Sequence, residues 1–319
     1  MQDSLPIQRV VVIGTGMMGP GIALAFATAG KTVVLAGRSQ ESLARGLSTL
    51  EAGLRTLQDA ELLSPEEASL ARGRVEGTAD LPAAASTADV VVESIVEDLP
   101  TKQALFAQLD RLCPPQALIT SNTSGLPISR ITAEMSRPER AATTHFWMPP
   151  HLIPLVEIVR GERTSEDTVL RLRALLTQIG KRPVVVRRDV PGQLGNRLLG
   201  AITREAMAIV QEGIATAEEV DTAIKTGLGL RFPVYGPLEH ADMVGLDLVL
   251  SVHSYLLQDL CNSPEPLAIL REKAARGELG ARAGRGFYDW SKKSPDEVKA
   301  TRDAFILARL KDLYPPKAR

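Results

Sequence analysis

An α/β fold is predicted: a doubly wound, mostly parallel sheet followed by a second, all-helical C-terminal domain. Three observations predict it. Short runs of β-branched residues alternate with helical patterns through the first half of the chain. A glycine-rich turn joins the first run to a helical segment. Beyond Val186 such runs stop, and apolar residues recur at helical spacing.

The strand runs are residues 10–13, 32–35, 90–92, 117–119, 155–159 and 184–186. Apart from Thr32 and Glu157 they are continuous apolar runs rather than alternating ones, as suits strands covered on both faces. Between them lie helical patterns such as Leu105, Phe106 and Leu109 after Lys102. Ser64-Pro65-Glu66-Glu67 has capping-box spacing with proline at the first helical position. Thr216 with Glu219 and Ser294 with Glu297 repeat that spacing. From Gln193 onward, Leu194, Leu198, Ile202, Ala206 and Ile209 mark one helix. The expected domains are residues 1–188 and 189–319.

Composition narrows the function classes. The 319 residues are 44% hydrophobic and 24% charged, the balance of a globular protein. A net charge of −1 provides no general attraction to nucleic acid or to an anionic membrane. The basic run from Arg171 to Arg188 has no nucleic-acid motif beside it and reads as a solvated face. Residues 10–30 carry no charge, but their glycines and Pro20 oppose a membrane span. Cys113 and Cys261 cannot build a disulfide framework, so a reducing cytoplasm is expected. No metal-ligand spacing occurs, and no metal is expected.

Gly14-Thr15-Gly16-Met17-Met18-Gly19 follows a strand run and opens a helical pattern. This is the context in which GxGxxG binds the pyrophosphate of a dinucleotide, in a Rossmann-type domain. All six residues are candidate contacts for NAD or NADP. An acid that would hold the ribose hydroxyls is missing at the end of the second strand, where Gly37 stands. Arg38 and Ser39 follow and could hold a 2′-phosphate, which favours NADP.

Further motifs extend along most of the chain: Glu93-Ser94-Ile95-Val96-Glu97-Asp98-Leu99 with Lys102, Ser121-Asn122-Thr123-Ser124, and His145-Phe146-Trp147-Met148-Pro149-Pro150. Leu155-Val156-Glu157-Ile158-Val159, Asn196-Arg197-Leu198-Leu199, Gly236-Pro237-Leu238-Glu239 and Gly284-Arg285-Gly286-Phe287-Tyr288 follow in order. With these motifs the chain resembles the 3-hydroxyacyl-CoA dehydrogenase family. The resemblance implies an oxidoreductase that moves a hydride reversibly at the C3 hydroxyl of a 3-hydroxyacyl-CoA such as 3-hydroxybutyryl-CoA, in fatty acid metabolism. It implies a homodimer formed through the helical domain.

Oxidising a secondary alcohol requires a base, and histidine titrates near neutrality. Of the four histidines, His145 matches the family's catalytic position. Glu157, twelve residues on, can face it across a turn through Pro149 and Pro150. His151, His240 and His253 read as structural. By the same resemblance, Ser124 and Asn196 would hydrogen-bond the substrate oxygen. Asn196 is assigned to the helical domain, which would put the reaction between the domains. Glu97, Lys102, Ser124 and Arg282 match cofactor-contact positions.

Departures from the family open alternatives. Met148 stands where the family commonly has asparagine. Ungapped counting puts Gly53 and Ala60 where some members contact CoA through serine and lysine; Arg45 or Arg55 could compensate. The run from Pro149 to Glu157 resembles a branch acting on free hydroxy acids, which includes L-gulonate 3-dehydrogenase (lambda-crystallin). Arg231 could then bind a substrate carboxylate, or form a surface ion pair. A small carboxylated alcohol or aldehyde is a further substrate class. A cofactor-binding or structural protein without turnover is the alternative of another kind.

Overall fold

The computed structural model of the protein describes residues 7–313. Eight strands form one sheet: β1 (Arg9–Ile13), β2 (Thr32–Ala36), β3 (Val75–Thr78), β4 (Val90–Glu93), β5 (Leu118–Ser121), β6 (Ala141–Phe146), β7 (Leu155–Val159) and β8 (Arg182–Val186). Their order is β3-β2-β1-β4-β5-β6-β7-β8. All neighbours are parallel except β6 and β7. The fold is therefore the doubly wound, mostly parallel Rossmann-type sheet that the alternation predicts. Strand order reverses between β1 and β4, so their carboxyl ends open a crevice suited to a ligand.

Covered faces explain the unbroken apolar runs. Val10, Val12, Val33 and Leu35 pack on one side with Ile22 and Phe26. Val11, Val34 and Val91 pack on the other with Phe106 and Leu109. Alternate side chains of one strand thus enter opposite cores. Two strands lie outside the apolar runs: β6, which only the spacing of His145 and Glu157 implied, and β3, a short edge strand whose only buried residue is Val75.

Residues 10–30, uncharged in sequence, become β1, the glycine turn and the helix Gly19–Thr28. Among the described residues no helix is long and apolar enough to cross a membrane. No group of three potential metal ligands occurs among them. The capping boxes at Ser64 and Thr216 form as expected.

The chain divides into two compact units. The second is Arg197–Thr301, and the first holds the residues before it together with those from Arg302 onward. The division falls after Asn196 rather than at residue 188. The end of the helix Pro295–Leu313 returns to the first unit, where Leu310 is buried and Ile306 and Leu307 join the core. Helical periodicity reports that one face is apolar, not which core receives it. The second unit is built mainly of helices, including Pro237–Val244, Leu246–Leu256 and Ala268–Ala275.

Candidate active site

The glycine turn fits a dinucleotide. Gly14 has φ +117°, and a Cβ there would lie 2.2 Å from the Ser94 carbonyl oxygen. A Cβ on Gly19 would meet the Gly14 carbonyl oxygen at 1.8 Å. These two glycines let the turn, the helix and the loop after β4 close on one another. Gly16 faces open space, as an approaching pyrophosphate requires. The helix Gly19–Thr28 has no side-chain cap at Met18, leaving its first N–H groups for an anion. Met17 is exposed and Thr15 packs near Gly37.

Gly37 cannot readily be replaced by an acid. A Cβ there would sit 2.9 Å from the Thr15 methyl and 3.0 Å from Leu43. Arg38 is exposed at the end of β2. The Ser39 hydroxyl caps the helix Gln40–Asp59 by accepting from the Ser42 N–H.

A cavity of about 440 Å³ opens at the carboxyl ends of β4, β5 and β6. Met18, Glu97, Asn122, Ser124, His145, Trp147, Met148 and Asn196 contribute to its lining. The β6–β7 register sets His145 opposite Glu157, as the twelve-residue spacing suggests. His145 Nδ1 lies 2.7 Å from Glu157 Oε2. Glu157 is fully buried and accepts three more bonds, from Trp147 Nε1 (3.0 Å) and from the N–H groups of Leu194 (2.9 Å) and Gly195 (2.8 Å). Burial favours its neutral form, but the hydrogen bonds from His145, Gly195, Trp147 and Leu194 outweigh that and hold the carboxyl down at about 2.

Those backbone bonds also place Asn196. They anchor the first turn of the helix Gly195–Gln211, and Asn196 Nδ2 donates to the Ser124 carbonyl at 3.0 Å. Asn196, in the first turn of that helix, is the last residue of the first compact unit before the chain enters the second. Ser124, His145, Glu157 and Asn196 all lie in the first unit.

Glu97 and Lys102 differ in access. Lys102 is buried, with its ammonium 2.6 Å from Glu93 and 3.4 Å from Glu97. It holds Glu93 and Glu97 together beneath the cavity rim. Glu97 lines the cavity and accepts a short hydrogen bond from the Thr123 hydroxyl. Its carboxyl titrates below the usual range: burial opposes this, and Thr123 and Lys102 prevail. Glu93, fully buried, also accepts from Ser121 Oγ at 2.6 Å.

Arg231 ends the short helix Gly229–Arg231 and Arg282 sits in the turn Ala281–Ala283. Both are exposed in the second unit. That unit has an open cavity of about 530 Å³ beside Thr216, Lys273 and Phe287, without a histidine or cysteine in its lining. His151 packs against Gly21 and Gly53, and burial with nearby Lys181 pushes its titration down to about 4. Burial raises the Cys113 thiol to about 11, which suits a packing residue. Gly53 is itself buried, with Leu24 2.7 Å from where its Cβ would lie, so this position cannot present a contact to CoA.

The sequence reading gave no role to Trp147 or Glu93. Trp147 is two residues from His145, hence on the same face of an extended chain, and that period was its signal.

The family model for the 3-hydroxyacyl-CoA dehydrogenase NAD binding domain matches residues 9–190, and that for the C-terminal domain matches residues 192–290. The chain belongs to the 3-hydroxyacyl-CoA dehydrogenase family. It is thus an oxidoreductase acting on CH–OH groups, with an NAD-binding domain. A probable 3-hydroxybutyryl-CoA dehydrogenase of Bacillus subtilis is 38% identical over 91% of this chain and 100% of its own. The 5-formyl-3-hydroxy-2-methylpyridine 4-carboxylate 5-dehydrogenase of Mesorhizobium japonicum is 35% identical over 95% of this chain and 97% of its own. A crystal structure of a 5-dehydrogenase of the corresponding acid, described as an NAD+ dependent dismutase, is 34% identical. It superposes with a TM-score of 0.90 over 98% of this chain and 100% of the other.

Proposed function

We propose that this dehydrogenase oxidises a secondary alcohol reversibly with His145 as general base, and the observation that carries the reading is the His145–Glu157 pair lining the cavity. The bound dinucleotide supplies the hydride acceptor. Glu157 holds Nδ1 and leaves Nε2 to take the hydroxyl proton. Ser124 and Asn196 hydrogen-bond the oxygen that becomes a carbonyl. One N–H of the Asn196 amide is used on Ser124, leaving the other for substrate. The glycine turn, Arg38, Ser39, Glu97, Ser124 and Arg282 bind the cofactor, with Lys102 behind Glu97. The first unit is the cofactor-binding domain, and the second serves substrate binding and dimerisation.

The substrate is a 3-hydroxyacyl-CoA of short chain, by the family and the relative from Bacillus. A free carboxylated alcohol or aldehyde is the second reading. It is favoured by the TM-score of 0.90 to the pyridine-carboxylate enzyme and by the buried Gly53. Arg231 would then bind the carboxylate. The relative is described as NAD+ dependent, whereas Gly37 and Arg38 favour NADP here.

Initial rates of acetoacetyl-CoA reduction with NADH and NADPH, in parallel, test these choices. Turnover supports the thioester. NADPH is expected to be the better cofactor, and Arg38→Ala is expected to cut that preference by about tenfold or more. A preference for NADH that survives Arg38→Ala would refute the NADP reading. No turnover from protein that binds cofactor selects the free-acid substrates. Failure across those as well revives a non-catalytic role.

Homodimerisation is expected through the second unit. Among its described residues only Ala208 is buried, while Leu198, Leu238, Met243, Leu246 and Leu250 are exposed. Helices that expose this much apolar surface need a covering partner. Sedimentation should give a dimer; a monomer at working concentration rejects it.

A further inference from the structure

We propose that Trp147 is a positioning residue: its indole N–H shares Glu157 with His145, which locks the carboxylate and tempers its pull on the imidazole proton. This deepens the reading of His145 as base and rests on it. Glu157 Oε2 accepts from His145 Nδ1 at 2.7 Å and from Trp147 Nε1 at 3.0 Å. Oε1 accepts from the N–H groups of Leu194 and Gly195. A carboxylate has about four acceptor sites, and here all are filled. The indole can only donate, so it favours a carboxylate that stays ionised. Glu157 then orients and balances the imidazolium instead of taking its proton, and His145 keeps the proton it removes from substrate.

The seat for the indole is built into the chain. A Cβ on Gly195 would lie 2.3 Å from Trp147 Cζ2, so any larger residue there displaces the ring. The indole also packs on the imidazole, with ring centroids 5.5 Å apart. A phenyl ring could fill the same space but could not donate.

The groups around the pair come from several elements, and Arg197 follows Asn196 on the helix Gly195–Gln211. Glu97 reaches the cavity from the loop after β4. Val184 of β8 lies in register with Glu157. Asn122 and Ser124 after β5, and Leu194, Gly195 and Asn196 around the helix start, are uncharged. Trp147 and His145 both donate to Glu157 through their side chains.

Trp147→Phe deletes the N–H and keeps a ring. Glu157 then directs more of its charge to His145, which holds its proton to higher pH. The His145 titration midpoint, followed by NMR of the full-length protein, is expected to rise by about half a pH unit. Oxidation needs the imidazole free of its proton, so the acid limb of kcat/KM should move up by the same amount. Simple loss of packing would lower the rate without moving either. An unmoved midpoint overturns the proposal. A midpoint that rises while the limb stays supports the Trp147–Glu157 coupling and instead refutes His145 as the base. A second measurement needs no change at residue 147. The indole N–H resonance of Trp147, assigned with Trp290→Phe, should shift through the His145 midpoint. An indole signal indifferent to that titration also overturns the proposal.

Discussion

His145→Ala is expected to lower kcat for alcohol oxidation by roughly 10²–10⁴-fold, with cofactor binding retained. The physical reason is that proton removal from the hydroxyl must accompany hydride departure from its carbon. Without the imidazole, only water remains to take the proton. The ring is buried, so its loss leaves a cavity next to Trp147. Folding should therefore be checked by circular dichroism beside the rate. Ground-state binding rests on other groups, so KM should change far less than kcat. Cofactor affinity, read by fluorescence of the reduced dinucleotide, should stay within a few-fold. Undiminished turnover on the true substrate would remove His145 from the mechanism.

Glu157→Gln should damage both turnover and stability. A glutamine has one acceptor oxygen and an amide donor where Glu157 accepts four hydrogen bonds. At least one buried donor then loses its partner, and the NH₂ group faces another donor. Turnover is expected to fall by roughly 10²–10⁴-fold, because the amide can impose the wrong imidazole tautomer. At neutral pH the variant should lose about 2–4 kcal/mol of unfolding free energy.

The pH dependence separates this charge effect from a packing defect. The Glu157 carboxyl titrates at about 2 in the folded chain against an ordinary 4.5. The depressed value means that the folded state favours the ionised form, so the carboxylate contributes stability above about pH 4.5. The contribution is on the order of 3 kcal/mol, and fades as pH falls from 4.5 through about 2. Urea unfolding at a series of pH values should show the gap between wild type and Glu157→Gln closing over that window. A gap that is constant with pH would assign the loss to packing alone.

Much of this site was legible in the sequence because its signals are local. The glycine turn depends on residues adjacent in the chain. The His145–Glu157 pairing depends on one strand, one turn and one returning strand, so the twelve-residue spacing allowed it once the resemblance had named the residues. Trp147 entered the sequence reading only as part of a family motif, because nothing local marks its N–H as a donor to a carboxylate. Only the acceptor on β7 and the bare Gly195 do so. The burial of Lys102 against Glu93 became evident only once β4 and the helix Leu99–Leu112 were packed together.

The order of most strands and helices and the dinucleotide turn follow from local pattern, since hydrophobic period and turn chemistry act over a few residues, and the family resemblance singled out His145 and Glu157 as the proposed catalytic pair. Packing in three dimensions settled the rest. It anchored the start of the helix that carries Asn196 through the Leu194 and Gly195 N–H groups that bind Glu157, and brought the last helix back to the core at Leu310. It also filled all four acceptor sites on one buried carboxylate from two separate segments, 145–147 and 194–195. An apolar stripe says that a face is buried, but not by what. The charge state of a buried group sums contributions from neighbours far apart in the chain, and only the assembled fold brings them together.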